Sequence, residues 1–190
     1  LVLLISLLPI SSVNSQNIIV YNPSNSGLPD DGVTCVTPDR YGAKWIGTSD
    51  SGIVKFYNNL WTRYDSANSG MPGNKIRDIV FDRNGIMWVI IAGKGLGRYD
   101  GQNWILYNQY NSPLNGVSCL AVDSNDTKWM VTVGRLAKFD NTNWTLFDTA
   151  NGGFYSGSLQ MDFEGDTLWI AAGLKGLARY CNGSLNYYNM

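Results

Sequence analysis

Three basic side chains fall at matching places in a repeating sequence, and together they could bind an anion. Alignment of the repeats on their tryptophans gives one equivalent position, occupied by Ser51, Lys94, Arg135 and Lys175. We predict that this position lies in the loop between the second and third strands of each repeat. Three cations on one rim could hold a carboxylate or sulfate, and a guanidinium can bind such a group through two hydrogen bonds. An acidic oligosaccharide is therefore one candidate ligand, although exposed turns commonly carry Lys and Arg without any ligand.

A second set of polar residues lies in the connections between repeats. An Asn-Ser pair recurs there three times, as Asn25-Ser26, Asn68-Ser69 and Asn111-Ser112. We expect these connections to lie at the same end of the fold as the loops that carry the cations. The amides of Asn25, Asn68 and Asn111 could then form hydrogen bonds with sugar hydroxyls. The alternative is that Asn-Ser-Gly is ordinary turn chemistry, because Asn and Ser readily bond the backbone of their own turn.

The composition excludes several classes of function. The chain has no histidine, which removes Ser-His-Asp triads and the commonest zinc sites. A net charge of −1 provides neither a basic groove for nucleic acid nor a polybasic membrane patch. No pair of carboxylates stands out from the repeat background. We therefore predict a protein that is not an enzyme and has no cofactor or metal, with a polysaccharide lyase as the less favoured alternative.

The elements that must position these residues are four copies of one repeat. Tryptophans recur about every 40 to 43 residues, at Trp45, Trp88, Trp129 and Trp169. A second series consists of Trp61, Trp104, Trp144 and Leu185, and a third consists of Tyr64, Tyr107, Phe147 and Tyr188. A period of this length with aromatic and glycine punctuation is typical of the blades of a β-propeller.

The second repeat shows the plan of one blade. Four β-rich runs occur at residues 76–81, 86–91, 96–99 and 104–107, and turn sequences such as Asp82-Arg83-Asn84-Gly85 separate them. The corresponding turn of the fourth repeat is predicted at Asp162-Phe163-Glu164-Gly165. Asp-rich turns also offer the oxygen ligands that calcium prefers, but these lack the twelve-residue calcium-loop pattern. We interpret them as hairpin turns.

The pattern predicts an all-β fold, a β-propeller of about four blades with four antiparallel strands each, forming an arc of a larger ring. The blades are predicted at residues 22–64, 65–107, 108–147 and 148–188. Residues 17–21 match a fourth strand, and we expect them to complete a flanking blade. Residues 1–15 are apolar and then small and polar, which indicates the remnant of a signal peptide and a periplasmic or extracellular location. The apolar run is too short to span a bilayer.

The repeats resemble the two-component regulator propeller repeat. The resemblance is carried by Asn68-Ser69-Gly70-Met71-Pro72, by Asp82-Arg83-Asn84-Gly85-Ile86-Met87-Trp88, and by the repeat ending Trp45-Ile46-Gly47-Thr48. It covers about residues 17 to 190 and is most specific in the first two repeats. The resemblance implies the extracytoplasmic, non-catalytic sensor region of a bacterial two-component regulator, a family in which many members detect oligosaccharides.

A second interpretation keeps the same fold without a kinase. A secreted or cell-surface propeller for binding or adhesion would use the same blades and the same loops. Under either interpretation, an acidic oligosaccharide or a protein is the expected ligand, and the loops between strands are the expected site.

Overall fold

A computed structural model of the chain describes residues 18–148, 160–173 and 176–188. The predicted signal peptide at residues 1–15, the last predicted connection at residues 151–154 and Lys175 lie outside the described residues. The regular elements of the described residues are β-strands, and no helix among them is long and apolar enough to cross a membrane.

The strands form four antiparallel sheets of four strands each, which we number blades 1 to 4. Blade 1 contains β1 (Val33–Pro38), β2 (Lys44–Thr48), β3 (Ile53–Tyr57) and β4 (Leu60–Tyr64). Blade 2 contains β5 (Ile76–Phe81), β6 (Met87–Ile91), β7 (Gly95–Tyr99) and β8 (Trp104–Tyr107). Blade 3 contains β9 (Cys119–Val122), β10 (Lys128–Thr132), β11 (Arg135–Phe139) and β12 (Trp144–Asp148). Blade 4 contains β13 (Met161–Glu164), β14 (Thr167–Ala171), β15 (Leu177–Cys181) and β16 (Ser184–Tyr188).

Each blade is a meander in which consecutive strands pair. Tight turns make this possible, because their residues adopt positive φ angles that Asn and Gly tolerate best. The turn between β3 and β4 is an example, with φ of 49° at Asn58 and 61° at Asn59. The turn residues therefore specify hairpins within each blade.

The four blades stand side by side, with their first strands innermost. β1, β5, β9 and β13 are neighbours in that order and line a central channel, a cavity of about 490 Å³. Strands that are first in sequence and innermost in space are the arrangement of a β-propeller. The predicted all-β propeller of four-stranded antiparallel blades is confirmed, and the size of the complete ring stays a prediction.

The core lies in the seams between neighbouring blades, and each seam contains the tryptophan of the preceding blade. Trp45 packs on Phe81 of blade 2 with ring centroids 5.9 Å apart, and Trp88 packs on Phe139 of blade 3 at 6.1 Å. Trp88 is completely buried, at 0 % exposure. Burial of one tryptophan contributes on the order of 4–6 kcal/mol before the entropy of folding is counted. We call these interfaces seam 1–2, seam 2–3 and seam 3–4.

The predicted strand at residues 17–21 is not formed over residues 18–21, the part of it that the structure describes. Each of the four described sheets already has its own fourth strand, so these residues find no free strand to pair with. Ile18, Ile19 and Val20 are exposed, whereas Tyr21 packs its ring on Phe56 and Trp61 of blade 1. Pairing of residues 17–21 with a flanking blade stays a prediction.

Candidate functional site

The aspartate and the tryptophan of each repeat form one hydrogen-bonded unit. Asp82 Oδ1 accepts the backbone N–H groups of Asn84 and Ile86, both at 3.0 Å, and Asp82 Oδ2 accepts the indole N–H of Trp88 at 3.0 Å. The same indole bond joins two further pairs, Asp39 to Trp45 at 2.9 Å and Asp123 to Trp129 at 2.8 Å. The turn before the second strand therefore fixes the tryptophan of that strand, which explains their constant spacing.

These hydrogen bonds also fix the charge of the turn. Partial burial raises the pKa of Asp39, but the N–H groups of Trp45, Tyr41 and Ala43 stabilise its carboxylate, and the net pKa lies below the usual range. Both oxygens of this carboxylate are thus occupied by donors from its own repeat. This is the pattern that the hairpin-turn interpretation requires.

In the fourth repeat the predicted turn was wrong. Asp162 lies within β13 and is paired in register with Trp169, so it is not a turn residue. The carboxylate that accepts the indole N–H of Trp169 belongs to Glu164, at 3.1 Å. The turn is shorter here, since Glu164 already pairs with Thr167, and the longer glutamate side chain spans the remaining distance.

Sequence reasoning missed a cation opposite each tryptophan. The register of the second and third strands pairs Trp45 with Lys55, Trp88 with Arg98, Trp129 with Lys138 and Trp169 with Arg179. Lys55 Nζ lies 5.0 Å from the Trp45 ring, a distance at which a cation is attracted to the aromatic face. The signal was available, because a basic residue follows each tryptophan at almost constant spacing. Lys138 and Arg179 lie over the rings of Trp129 and Trp169 at 5.6 and 5.7 Å.

Lys128 is a buried cation in seam 2–3, which the sequence analysis also missed. Its side chain is 0 % exposed, and Nζ lies 3.5 Å from Asp82 Oδ2 and 4.7 Å from the ring of Trp88. Nζ also donates to the carbonyl of Asp126 at 2.7 Å and to the side chain of Asn141. Burial lowers the pKa of Lys128, and the carboxylate of Asp82 opposes that shift. Blades 2 and 3 are therefore joined by a desolvated ion pair.

The asparagines predicted to face sugars are instead engaged by their own turns. Asn111 Oδ1 accepts the N–H of Asn108 at 2.9 Å, and its Nδ2 donates to the carbonyl of Leu106 at 2.7 Å. Asn25 and Asn68 make the equivalent pairs of bonds. The three side chains thus shape the connections between blades, and nothing in their geometry points them at a ligand.

The loops between second and third strands lie at the same end as the connections between blades, as expected from the sequence. The N–H of Gly52 donates to the carbonyl of Asn74 at 2.9 Å, and the N–H of Ala92 donates to the carbonyl of Lys75 at 2.8 Å. We call this end the loop face. Ser51 and Lys94 both lie on it, in the predicted loop.

The predicted equivalence of Arg135 with Lys94 was wrong. Arg135 is the first residue of β11, and it pairs with Thr132 where Gly95 pairs with Ile91. Strand register therefore makes Arg135 the counterpart of Gly95. The turn of blade 3 is one residue shorter than that of blade 2, and an alignment on tryptophans cannot detect this difference. Lys175 lies outside the described residues, and the predicted cation cluster stays a prediction.

A groove on the loop face does contain Lys94, together with residues that the sequence analysis did not select. The loop-face groove lies over seam 2–3 and has a volume of about 560 Å³. Its lining includes Arg77, Lys94, Gln109, Tyr110 and Asn115. All five are exposed, and Tyr110 is 87 % exposed. The groove therefore offers two cations, two amides and one aromatic ring to solvent.

The two cations of this groove are unpaired within the described part of the chain. No described residue forms an ion pair with Arg77 or Lys94, and no carboxylate lines the groove. The stem of Lys94 lies close to Gly73, since a Cβ added to that glycine would lie 3.3 Å from Lys94 Cγ. An uncompensated pair of cations in one groove is suited to an anionic group.

Residues 70–90 match the family model of the two-component regulator propeller. This segment is similar to the two-component regulator propeller repeat. It contains Asp82 and Trp88, so the hydrogen-bonded unit described above explains part of the repeat's signature. A search of the curated proteins found no match to the chain.

Solved structures share the propeller fold. The extracellular domain of a protein assigned as a hybrid two-component system of B. thetaiotaomicron is 23% identical with a TM-score of 0.71, over 87% of this chain and 24% of that one. Virginiamycin B lyase from Staphylococcus aureus is 18% identical with a TM-score of 0.67, over 86% and 57%. An auxiliary nutrient binding protein from Bacteroides ovatus is 15% identical with a TM-score of 0.61, over 82% and 41%.

This chain spans about a quarter of the first of those structures and no more than 57% of the other two. Identities this low show a common fold. The three structures comprise a domain of a signalling protein, an enzyme and a binding protein, so the propeller by itself does not decide the activity. A functional assignment must therefore rest on the similarity to the two-component regulator propeller repeat and on the residues of the loop-face groove.

Proposed function

We propose that this chain is the ligand-sensing propeller region of a bacterial two-component regulator, located outside the cytoplasm, and that it binds an acidic oligosaccharide in the loop-face groove. The observation that carries the proposal is the pair of uncompensated cations, Arg77 and Lys94, in a groove without a carboxylate. The match of residues 70–90 to the two-component regulator propeller supports the regulatory context.

The groove offers a separate contact for each part of such a ligand. Arg77 can bind a carboxylate or sulfate through two hydrogen bonds, and Lys94 adds a second charge nearby. Gln109 and Asn115 carry amides that can both donate to and accept from sugar hydroxyls. Tyr110 presents an exposed ring whose apolar face can cover a sugar ring while its hydroxyl stays in water.

The same groove favours binding over catalysis. Cleavage of a glycosidic bond by general acid and base requires two positioned proton-transfer groups, which are most often carboxylates. No Asp or Glu lines the described groove, and its amides, arginine and lysine suit the holding of a ligand. We propose that the propeller senses its ligand without changing it.

A second candidate is a secreted or surface-displayed binding propeller that has no kinase. The likeness of the fold to an auxiliary nutrient binding protein favours it, and the loop-face groove would serve it equally well. The sequence of the remainder of the protein separates the two candidates. A membrane span followed by a kinase supports the sensor, and a secretion or adhesion module supports the alternative.

The proposal is tested by titration calorimetry of the chain with uronate-bearing, sulfate-bearing and neutral oligosaccharides. We expect acidic members to bind and neutral members of the same length to bind far more weakly. Lys94→Ala and Arg77→Ala should each weaken acidic ligands by about 10- to 100-fold, which corresponds to about 1.5–3 kcal/mol for a hydrogen bond to a charged group.

The matched control is Lys75→Ala. Lys75 is a cation on the same face, but it is paired with Asp50 at 3.1 Å and does not line the groove. Its removal should leave affinity unchanged. Equal affinity of acidic and neutral sugars, or equal losses in Lys75→Ala and Lys94→Ala, would contradict the proposed site.

A further inference from the structure

The chemically labile dipeptide Asn-Gly occurs four times in the chain, at residues 84–85, 115–116, 151–152 and 182–183. The side-chain carbon of an asparagine can be attacked by the backbone nitrogen of the next residue, and glycine hinders this attack least because it has no side chain. Residues 151–152 lie outside the described residues, and Asn182-Gly183 forms the turn between β15 and β16. Asn84-Gly85 and Asn115-Gly116 allow a direct comparison, since both asparagines are exposed.

Asn84-Gly85 is hydrogen-bonded at both groups that would react. Nδ2 of Asn84 donates to Asp126 Oδ2 at 2.9 Å, so the side-chain amide is fixed against a carboxylate of the neighbouring blade. The N–H of Gly85 donates to the carbonyl of Asp82 at 2.9 Å. Attack within this pair must therefore break two native hydrogen bonds first, which slows the reaction.

Asn115-Gly116 has neither of these hydrogen bonds. Within the described part of the chain, the side-chain amide of Asn115 has no hydrogen-bond partner and the N–H of Gly116 has no acceptor. The space around this peptide is also open, since the one described atom that a Cβ added to Gly116 would meet is Val133 Cγ2, at 3.7 Å. Neither hydrogen bonding nor crowding by described residues protects this pair.

The backbone of Asn115 is nevertheless fixed at the loop-face groove. Its N–H donates to Thr132 Oγ1 at 3.0 Å, and its carbonyl accepts the N–H of Val133 at 3.3 Å. Thr132 is 3 % exposed, so the anchor is a buried residue of blade 3. A charged group formed on the side chain of Asn115 would therefore lie in the groove that Arg77 and Lys94 also line.

We propose that Asn115 is a deamidation site, and that its conversion to aspartate or isoaspartate weakens the binding of acidic ligands in the loop-face groove. The backbone nitrogen of Gly116 attacks Cγ of Asn115 and forms a C–N bond. The side-chain nitrogen leaves as ammonia and takes the proton that the Gly116 nitrogen loses. Water then opens the succinimide at either carbonyl and leaves a carboxylic acid, which is ionised at neutral pH. One water is consumed and one ammonia is released, with no oxidant or reductant.

The new carboxylate compensates the charge that attracts an acidic ligand. No carboxylate lines the described groove before the reaction, and one at residue 115 competes with the ligand for Arg77 and Lys94. Affinity for an acidic oligosaccharide should then fall by about tenfold, whereas a neutral ligand should lose little. This consequence rests on the proposed function, whereas the deamidation itself does not. Because water does not reverse the reaction, each chain would lose its affinity once, as it ages.

The test is incubation of the intact chain at mildly alkaline pH in water enriched in heavy oxygen. The heavy isotope enters each carboxylate that forms by opening of a succinimide, and peptide mapping by mass spectrometry locates it. Asn115 should acquire the label at least about tenfold faster than Asn84, because two hydrogen bonds protect the latter pair. The matched control is the chain unfolded in urea, in which both residues should react at similar rates.

Two variants connect the chemical change to binding, measured by calorimetry with an acidic oligosaccharide. Freshly prepared Asn115→Asp should bind about tenfold more weakly than the fresh wild type and should reproduce the affinity of the aged wild type. Asn115→Gln has a longer side chain that closes the corresponding ring far more slowly. Its affinity should therefore not decline during the incubation, whatever its starting value.

Equal labelling of Asn84 and Asn115 in the folded chain would overturn the proposed site. The absence of label at Asn115 over the time in which the unfolded chain reacts would overturn it as well. Labelling of Asn115 with unchanged affinity for the acidic ligand would contradict the effect on binding. Failure of the fresh chain to bind any acidic oligosaccharide would overturn the proposed function and this effect together, while the peptide map would still decide whether Asn115 deamidates.

Discussion

Seam 1–2 and seam 2–3 are built from the same repeat but differ at two places. In the core, Met87 of blade 2 faces blade 1 at the position where Lys128 of blade 3 faces blade 2. Seam 1–2 is therefore closed by apolar packing, and seam 2–3 contains a buried ion pair. The repeat fixes the tryptophan and its aspartate, and one position on the facing strand decides whether that aspartate meets a methionine or a lysine.

The loop ends of the two seams differ in the same way. Over seam 1–2, Asn74 Oδ1 accepts the backbone N–H of Ser66, and the carbonyl of Ser51 accepts a hydrogen bond from the side chain of Arg63 in β4. Lys75 is paired with Asp50. Over seam 2–3, the loop-face groove leaves Lys94 and Tyr110 exposed. Seam 2–3 thus has an ion pair in its core and unpaired cations at its loop end, whereas seam 1–2 has an apolar core and a paired cation at its loop end.

The largest expected change in the free energy of unfolding comes from removing Trp88, the tryptophan of seam 2–3. Trp88→Ala should lower the free energy of unfolding by about 3–5 kcal/mol, because it removes a fully buried ring and leaves a cavity. Trp169→Ala is the matched control, since Trp169 is only partly buried and, among the described residues, its ring contacts Tyr188 and Arg179 of its own blade. Urea unfolding, followed by tryptophan fluorescence and circular dichroism, measures the free energy of unfolding of both variants. Equal losses would contradict the assignment of the seams as the core.

The next largest effect on the free energy of unfolding should come from breaking the ion pair between Asp82 and Lys128. Asp82→Asn should cost about 3 kcal/mol, because it leaves the buried ammonium of Lys128 without its counter-charge. Asp39→Asn, in seam 1–2, should cost only about 1 kcal/mol, the value of the lost indole hydrogen bond. The double variant Asp82→Asn with Lys128→Met should recover most of the loss, since it copies the apolar seam 1–2. Similar losses in Asp82→Asn and Asp39→Asn would show that the two seams are energetically alike.

The smallest effect is a dependence on pH. Burial lowers the pKa of Lys128 below its value of 10.5, so the unfolded chain binds this proton more tightly than the folded chain does. The cost of burying the charge is complete below the folded-state pKa and disappears as pH rises toward the unfolded value. The free energy of unfolding of the wild type, relative to Lys128→Met, should therefore rise as the pH is raised toward 10.5. A flat difference would contradict the desolvation of this lysine.

Much of the fold could be predicted because it depends on local signals. The spacing of Trp45, Trp88 and Trp129 reflects a hydrogen bond within each repeat, and the turns are specified by Asp, Asn and Gly. The fourth turn was predicted wrongly because Glu164 replaces the usual aspartate in a shorter hairpin. A local deletion of this kind changes the register without changing the period.

The candidate site could be predicted only in part. Lys94 was found by its place in the repeat, whereas Arg77 lies on an inner strand and Tyr110 in a connection, and no repeat pattern links them. Lys128 resembled an ordinary surface lysine, because its burial depends on blade 2 and not on its own strand. Contacts between blades are the information that a single sequence does not display.

The most direct test of the difference between the two seams is hydrogen exchange with the tightest-binding acidic oligosaccharide of the calorimetric panel. Bound ligand should slow exchange at residues 92–95 and 108–117, which line the loop-face groove over seam 2–3. The matching segments over seam 1–2, residues 49–52 and 65–74, should exchange at unchanged rates. Protection of both sets of loops, or of the seam 1–2 loops alone, would contradict the account.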